Sequence, residues 1–462
     1  MLERSFASAP TEQQKCQPAE VRPVGLRCLI RIENWLSGNT GRLAGYEANY
    51  RDAAGKGFHC ASSFRGQRRL VGLPVSALGA LVLLFVLVDG VAAQSADMSC
   101  QQAPGNRFYW IERAFCDLEL NGPEKAQGLI IWNHGISGTL ESYKAPAPLA
   151  FRLLQARAWD VIMIKRHNQA ETMAGGPLYR TVQRTLEEVK TQRKLGYRKI
   201  VLAGQSFGGY VTLDAADESP DVFAAVAMAP GFRAGGASGR LDASMVDRLL
   251  QSAKTGRIAV VFPKDDALFG NVVRGESAGR ILTRRNMPYL LLDETSGLTG
   301  HGGGVGGRFA VRYGLCLAEF LSAAQLPGGR FTCQPSGDPW PVVRELLVPA
   351  LADRLAIATD PTKLPDGLGR LTGLWYALID ESIVLFALAP TDGQKLRAVY
   401  RSSSSSRAAS VYDAEIRDGH VHVVLPQKDR ITVRPDADGG IITWTSSDGS
   451  RVLKGTLLRA PE

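Results

Sequence analysis

The stretch VLAGQSFGGYV, residues 201–211, sets one serine among glycines directly after an apolar run. The apolar residues before Ser206 are typical of a buried strand, and the residues after it, GGYVTLDAADE, favour a helix. The segment from Gly204 to Gly208 matches the pattern G-x-S-x-G. At a strand-to-helix junction this pattern holds a nucleophilic serine on a strained turn, and the small flanking residues leave room for neighbouring backbone. Ser206 is therefore a candidate nucleophile.

A serine hydroxyl needs a neighbouring base to become a strong nucleophile. After Ser206 the chain contains three histidines, His301, His420 and His422. The last two alternate with valine in HVHVV, where the exposed face of a strand explains them. His301 lies in TGHGGG, a glycine-rich loop after the final predicted strand of the sheet, and is the candidate general base.

The third member of such a site is an acid that follows the preceding strand. After IAVVFP the sequence continues with Lys264, Asp265 and Asp266. We favour Asp266, because a small and then an apolar residue follow it. Asp265 is the alternative, and the aspartate that is not used has a helix-capping role as its simplest explanation.

An oxyanion hole is indicated by IIWNHGISG, where a strand ends in His134, Gly135 and Ile136. The backbone N–H of Ile136 and that of Phe207, the residue after the serine, are the predicted donors. Two such donors stabilise the negative oxygen of a tetrahedral intermediate. His134 is expected to shape the loop and to take no part in proton transfer.

Apolar runs and amphipathic stretches alternate between residues 107 and 325. Six runs are typical of strands that are buried on both faces of a parallel sheet, and a helix with Val182, Leu186 and Val189 on one face lies between two of them. The runs are GLIIWN (128–133), DVIMIK (160–165), KIVLAG (199–204), AAVAMA (224–229), IAVVFP (258–263) and YLLLDE (289–294). This order predicts an α/β fold with a mostly parallel sheet covered by helices.

With these motifs, residues 107–325 resemble the α/β-hydrolase superfamily, closest to its dienelactone hydrolase-like and prolyl-oligopeptidase-like branch. The resemblance implies a triad of Ser206, Asp266 and His301, oxyanion donors at Ile136 and Phe207, and neither a cofactor nor a metal. True dienelactone hydrolases use a cysteine nucleophile, so their substrate is not transferred to this chain.

The sequence pattern changes after residue 346 from long apolar runs and helical stretches to short alternating runs. This change predicts a linker at 346–365 and an antiparallel β domain, a barrel or a sandwich, at 366–462. Short alternating runs are separated there by Asp-Gly pairs at 392, 418, 438 and 448, the turn chemistry of hairpins. Gly373, Leu374 and Trp375 are similar to the G-x-W of lipocalin-like barrels, in which the tryptophan plugs one end. A core tryptophan explains the motif equally well.

The N-terminal part carries a predicted export signal. Arg65, Arg68 and Arg69 precede an apolar run from Leu70 to Val88, and small residues before Gln94 fit a cleavage site. Segment 70–93 is thus a signal peptide or, as the alternative, a membrane anchor, and 94–345 is the catalytic domain. We interpret 1–69 as a disordered extension or a start-site artefact, since no methionine lies between Met1 and Met98.

Charge and cysteine content agree with an exported enzyme. Of the net charge of +9, residues 1–69 account for a surplus of five, so nucleic-acid binding is not expected of the remainder. Cys100 with Cys116 and Cys316 with Cys333 form two close pairs that predict disulfides of an oxidising compartment.

The sequence therefore predicts an exported, periplasmic or extracellular serine hydrolase that acts on carboxylic esters. Its expected partner is a small-molecule or acyl-ester substrate, together with membrane or cell-envelope association. A peptidase or acyltransferase on the same triad, and an envelope-binding protein with an inactive scaffold, are the alternatives. Arg166 and His167 are weaker candidates for pocket lining, and residues 173–178 for a lid.

Overall fold

The computed structural model describes residues 47–51, 57–61, 108–136, 142–167, 177–232, 243–269, 272–347, 364, 368–389, 396–403, 410–436 and 439–461. The chain divides into two compact units, residues 1–90 and 91–462. In the first unit, strands β1 (Glu47–Arg51) and β2 (Gly57–Ala61) pair as an antiparallel hairpin. The predicted signal or anchor segment, 70–93, lies outside the described residues.

The second unit begins with an eight-stranded sheet in the order β10-β9-β8-β7-β6-β4-β5-β3. Its strands are β3 (Tyr109–Arg113), β4 (Gly128–Asn133), β5 (Trp159–Arg166), β6 (Ile200–Gln205), β7 (Ala224–Met228), β8 (Ile258–Val261), β9 (Pro288–Leu292) and β10 (Gly329–Arg330). Neighbours from β5 to β10 pair in parallel, and β3 adds an antiparallel edge on β5. The predicted α/β sheet is confirmed; the two edge strands, β3 and β10, were not predicted.

Helices cover both faces of this sheet. They are α1 (Leu149–Ala156), α2 (Pro177–Lys194), α3 (Phe207–Glu218), α4 (Ala243–Ser252), α5 (Gly275–Arg285), α6 (Gly307–Ser322) and α7 (Trp340–Leu346). Two hydrophobic clusters lie on opposite faces, one around Trp159, Phe309 and Phe320, the other around Leu202, Leu213 and Phe262. Strands β4 and β7 have every residue buried, which explains their continuous apolar runs.

The C-terminal part closes into an antiparallel β barrel. Its strands are β11 (Leu374–Ile379), β12 (Ser382–Ala389), β13 (Leu396–Ser402), β14 (Ser410–Arg417), β15 (His420–Val424), β16 (Arg430–Asp436), β17 (Gly439–Thr445) and β18 (Val452–Arg459). Trp375 is buried near one end, where its indole Nε1 lies 3.1 Å from the carbonyl oxygens of Leu371 and Thr372. Closure removes the exposed strand edges that a sandwich would retain.

The barrel packs against the α/β domain. Tyr376, Ile383 and Leu385 on the barrel belong to the same hydrophobic cluster as Phe309 of α6 and Val343 of α7. Removal of residues 346–462 would therefore expose apolar surface of the α/β domain, and the barrel is not a freely detachable module.

A disulfide joins Cys316 and Cys333, whose Cα atoms are 5.7 Å apart, as the sequence predicted. It connects α6 to the segment after β10. Cys100, the predicted partner of Cys116, lies outside the described residues. Within the described ranges, no helix combines the length and apolar character that crossing a membrane requires.

Candidate active site

Ser206 lies at the turn between β6 and α3, in a backbone conformation that is unfavourable for a side-chain-bearing residue. Its φ is 56° and its ψ is −121°. A left-handed φ outside glycine costs free energy and persists only where surrounding contacts enforce it. Here the Ser206 N–H donates to the Met228 carbonyl (2.9 Å), and the Ser206 carbonyl accepts from the Gly231 N–H (3.1 Å).

The glycines of the G-x-S-x-G segment are required by close backbone approach. A Cβ on Gly204 would lie 2.1 Å from the Gly208 carbonyl oxygen, and a Cβ on Gly208 would lie 2.0 Å from the Asn133 carbonyl oxygen. No side chain fits at either position. The turn therefore packs tightly against the end of β4, where the predicted oxyanion loop begins.

Asp266 and His301 meet at the same edge of the sheet. Each carboxylate oxygen of Asp266 lies 3.0 Å from His301 Nδ1, and Leu268 N–H donates to Oδ1 (3.2 Å). The Asp266 side chain is 5% exposed and that of His301 is 21% exposed. Because a carboxylate accepts hydrogen bonds, His301 carries its proton on Nδ1, which leaves Nε2 unprotonated in the neutral ring.

Asp265, the alternative acid, points elsewhere. It is exposed, has φ of 57°, and forms the turn that brings Asp266 inward. The structure thus places His301 on Asp266.

Backbone hydrogen bonds hold the acid and histidine loops together. Lys264 N–H donates to the Leu298 carbonyl (2.8 Å), and Gly300 N–H donates to the Lys264 carbonyl (2.7 Å). Gln205 Nε2, from the residue before the candidate nucleophile, donates to the His301 carbonyl (3.2 Å). Three separate segments of sequence are thereby fixed around one point.

A buried arginine that the sequence did not indicate lies behind Asp266. Arg274 Nη2 is 3.7 Å from Asp266 Oδ2, and Nη1 donates to the Pro230 carbonyl (2.8 Å). The guanidinium carbon lies 3.7 Å from the ring centre of Phe269 and 4.3 Å from that of Phe262. Burial lowers the pKa of Arg274 to about 10, so it stays positively charged at neutral pH.

The predicted oxyanion segments lie next to Ser206. A Cβ on Gly135 would be 3.3 Å from Ser206 Cβ and 2.6 Å from Gln205 Oε1, so the loop that carries Ile136 abuts the turn. Phe207 opens α3 and is buried. The oxyanion roles of Ile136 and Phe207 remain predictions.

The His134 side chain is buried, and its hydrogen bonds are with backbone groups of the neighbouring segments. Arg166 N–H donates to its Nε2 (3.0 Å), and its Nδ1 lies 2.7 Å from the Gly135 carbonyl. Burial, followed by the nearby Arg166 guanidinium, holds the pKa of His134 well below its usual range, which keeps the ring neutral.

Arg166 does not line a pocket, contrary to the expectation from sequence. Its side chain is fully buried, and its Nη2 donates to the backbone carbonyls of His134 and Gly135. His167 is half-buried and stacks on Tyr143, with ring centres 5.7 Å apart. Of the predicted lid at 173–178, residues 173–176 lie outside the described residues, and Pro177 begins α2.

Comparison with known families agrees with the architecture of the sheet and its helices. Residues 128–293 match the family model described as the alpha/beta hydrolase fold. The chain contains an α/β-hydrolase domain. The predicted superfamily and fold class are therefore confirmed.

Solved structures similar to the α/β-hydrolase domain come from several organisms. A protein assigned as a dienelactone hydrolase from Klebsiella pneumoniae is 13% identical, covers 44% of this chain and 90% of its own, and has a TM-score of 0.32. A Pyrobaculum calidifontis esterase is 15% identical, with 43% and 76% covered and a TM-score of 0.30. A puromycin-hydrolysing peptidase from Mycobacterium tuberculosis is 12% identical, with 49% and 40% covered and a TM-score of 0.33. No curated protein matches the sequence.

Among the described residues of the α/β-hydrolase and barrel domains, no group of three or more His, Cys, Asp and Glu is arranged to hold a metal ion. The His420 and His422 side chains lie partly exposed on β15, alternating with buried valines. They belong to the outer face of the barrel, as the alternating pattern predicted.

Proposed function

We propose that this protein is a serine hydrolase that cleaves carboxylic esters through an acyl-enzyme, with Ser206 as nucleophile, His301 as general base and Asp266 as the acid that orients it. The observation that carries the proposal is the contact between Asp266 and His301 Nδ1, at 3.0 Å, on the sheet edge where Ser206 occupies its left-handed turn. The match to the α/β-hydrolase fold supports a hydrolase activity for these residues.

In the proposed first step, His301 Nε2 takes the Ser206 proton as Oγ bonds to the ester carbonyl carbon. The carbonyl electron pair moves onto oxygen, which the Ile136 and Phe207 N–H groups stabilise. When the tetrahedral intermediate collapses, the ester C–O bond breaks and His301 returns the proton to the departing alcohol. Water then attacks the acyl-enzyme by the same route and releases the acid.

Labelling with a fluorophosphonate tests the nucleophile. The full chain should be modified at Ser206, as located by mass spectrometry, and His301→Ala should slow labelling at least about 100-fold. Asp265→Asn is the matched control and should label at the rate of the unaltered protein. Folded protein that takes no label would contradict the mechanism and favour a binding protein on an inactive scaffold.

The choice of esters over amides is tested with a matched pair of substrates. p-Nitrophenyl acetate and p-nitroacetanilide differ in the leaving atom, so the ratio of their kcat/KM values separates an esterase from a peptidase. We expect turnover of the ester alone. Hydrolysis of both, or transfer of the acyl group to an added alcohol in preference to water, would assign the site to a peptidase or an acyltransferase.

We also propose that the enzyme acts outside the cytoplasm, on an acyl-ester substrate of small size or of the cell envelope. The segment 70–93 and the Cys316–Cys333 disulfide support this location. Cell fractionation, with N-terminal sequencing of the mature protein, should recover it from the exported fraction. Recovery only from the cytoplasm, with free Cys316 and Cys333 thiols, would refute the proposed location.

A further inference from the structure

The buried Arg166 side chain lies directly behind both segments that supply the candidate oxyanion donors. Its Nη2 donates to the His134 carbonyl (2.5 Å) and to the Gly135 carbonyl (3.1 Å). Its guanidinium carbon lies 4.9 Å from the centre of the Phe207 ring. One positive charge without solvent exposure therefore contacts the loop before Ile136 and the residue after Ser206.

The His134 ring contacts the same Gly135 carbonyl. Because Nε2 accepts from Arg166 N–H, the neutral ring carries its proton on Nδ1, which donates to the Gly135 oxygen at 2.7 Å. The contact of 3.3 Å between Arg166 Nη2 and His134 Nδ1 joins two donors and adds no hydrogen bond. Arg166 thus touches the Gly135 carbonyl and also orients the ring that touches it.

The contacts of Arg166 and His134 with the Gly135 carbonyl determine where the Ile136 N–H points. The described residues contain no cis peptide bond, and in a trans peptide the carbonyl of one residue and the N–H of the next point in opposite directions. Since the Gly135 carbonyl is turned toward Arg166 and His134, the Ile136 N–H is turned away from them. Gly135 itself lies against Ser206, because a methyl group added to its Cα would lie 3.3 Å from Ser206 Cβ.

We propose that Arg166 is a positioning residue of the oxyanion hole: it holds the 135–136 peptide with the Ile136 N–H directed at the reacting carbonyl oxygen, and its buried charge favours the oxyanion. This inference rests on the proposed hydrolase function. A substrate carbonyl carries a partial charge and the tetrahedral intermediate a full one, so the benefit is largest in the transition state. The effect should appear in kcat more than in KM.

The test is Arg166→Met in the full chain, with p-nitrophenyl acetate as substrate and active sites counted by fluorophosphonate titration. We expect kcat per active site to fall about 100-fold, while KM changes less than about threefold. Arg166→Lys keeps a charge and one carbonyl contact and should recover part of the loss. It also serves as the decisive variant where the methionine variant does not fold.

Arg257→Met is the matched control. Arg257 is also buried, donates to the carbonyls of Phe320 (2.7 Å) and Ala323 (2.6 Å), and stacks over Phe223 at 4.8 Å. It precedes β8, at the opposite end of the sheet from Ser206. Its loss should lower the melting temperature and leave kcat per active site unchanged.

A spectroscopic measurement separates positioning from general loosening. A 13C-labelled trifluoromethyl ketone forms a hemiketal on Ser206, and the oxyanion hole lowers the pKa of its hydroxyl. Arg166→Met should raise that hemiketal pKa by about one unit or more, whereas Arg257→Met should leave it unchanged.

The outcomes distinguish the two proposals. An unaltered protein that neither labels nor hydrolyses esters refutes the hydrolase function itself. The positioning role is overturned, and the hydrolase function stands, if the protein is active but its Arg166 variants keep the kcat and the hemiketal pKa of the unaltered protein. It is overturned equally if Arg257→Met lowers kcat and raises the hemiketal pKa as much as Arg166→Met does.

Discussion

Asp160 at the amino end of the central sheet and Asp266 at its carboxyl end are both buried carboxylates, yet their partners differ. Asp160 accepts from the Asn121 N–H (2.7 Å), the Gly122 N–H (2.9 Å) and the Tyr197 hydroxyl (2.6 Å). Asp266 faces the imidazole of His301, which is partly exposed. The Asp160 carboxylate joins chain segments inside the protein, whereas the Asp266 carboxylate contacts a histidine ring that is partly exposed to solvent.

The buried arginines repeat this contrast. Arg257 donates to carbonyls at the end of α6, while Arg166 donates to carbonyls of a loop beside Ser206. The chemistry is the same at both ends of the sheet. What differs is whether the segment being held lies next to the proposed nucleophile, Ser206.

Replacement of the two aspartates is the sharpest test of this contrast. In Asp266→Asn the His301 tautomer is no longer enforced, and we expect kcat per active site to fall about 10,000-fold. Some stability is lost as well, because the buried Arg274 no longer faces a carboxylate. Asp160→Asn leaves buried donors facing an amide and should cost about 3 kcal/mol of stability, with kcat per active site unchanged. Steady-state kinetics and urea unfolding measure both. Equal losses of activity in the two variants would erase the distinction between the ends.

Gly208→Ala tests how tightly the carboxyl end is packed. The new methyl group would lie 2.0 Å from the Asn133 carbonyl oxygen, both backbone segments being buried. We expect a loss of more than about 4 kcal/mol, or no folded protein. Gly337→Ala is the control, because no heavy atom lies within 4 Å of a Cβ at that position. Its free energy of unfolding should equal that of the unaltered protein. A stable, active Gly208→Ala would mean that the turn tolerates rearrangement.

Glu381→Ala tests whether the barrel steadies the carboxyl end from outside. The Glu381 carbonyl accepts from Gly307 N–H (2.7 Å) and its carboxylate from Arg308 N–H (3.2 Å), at the start of α6 a few residues after His301. Loss of the carboxylate should cost about 1 kcal/mol. Hydrogen exchange should accelerate in peptides covering 301–310 and stay constant in those covering β4. Uniform acceleration in both would indicate global destabilisation instead.

Asp214→Asn should stabilise the protein in a pH-dependent manner. Burial, with repulsion from Glu218 and Asp217 on α3, raises the pKa of Asp214 to about 6. That pKa lies above the unfolded value of about 3.9, so the folded state binds more protons and its stability falls as pH rises between the two values.

At pH 7.5, after allowance for partial exposure, the substitution should therefore gain about 1 kcal/mol. At pH 4 the gain should vanish. Urea unfolding at both pH values measures this, and an equal gain at pH 4 would mean that the charge of Asp214 is not the cause. The residue lies two turns into α3 from Ser206, so kcat should not change.

Much of the fold was predictable because its signals are local. The run GLIIWN became β4 with its predicted bounds, and the buried face with Val182, Leu186 and Val189 became that of α2, ended by Gly196 at φ of 111°. The Asp-Gly turns predicted the antiparallel domain. Its closure into a barrel depends on the pairing of β11 with β18, which are far apart in sequence.

Within the candidate site, the residue types and their order along the chain were determined by the sequence alone: a serine between glycines after a strand, an aspartate after a later strand and a histidine after the last. The sequence favoured Asp266 over Asp265, but which of them contacts His301 was decided by tertiary structure. The turn at Asp265 leaves its own side chain exposed and brings that of Asp266 to His301. Arg274 had no signal in the sequence, and Arg166 was indicated there only as a candidate for lining the pocket. A buried charge is recognised by the carbonyls, rings and carboxylates that surround it, and those come together only when distant segments fold against each other.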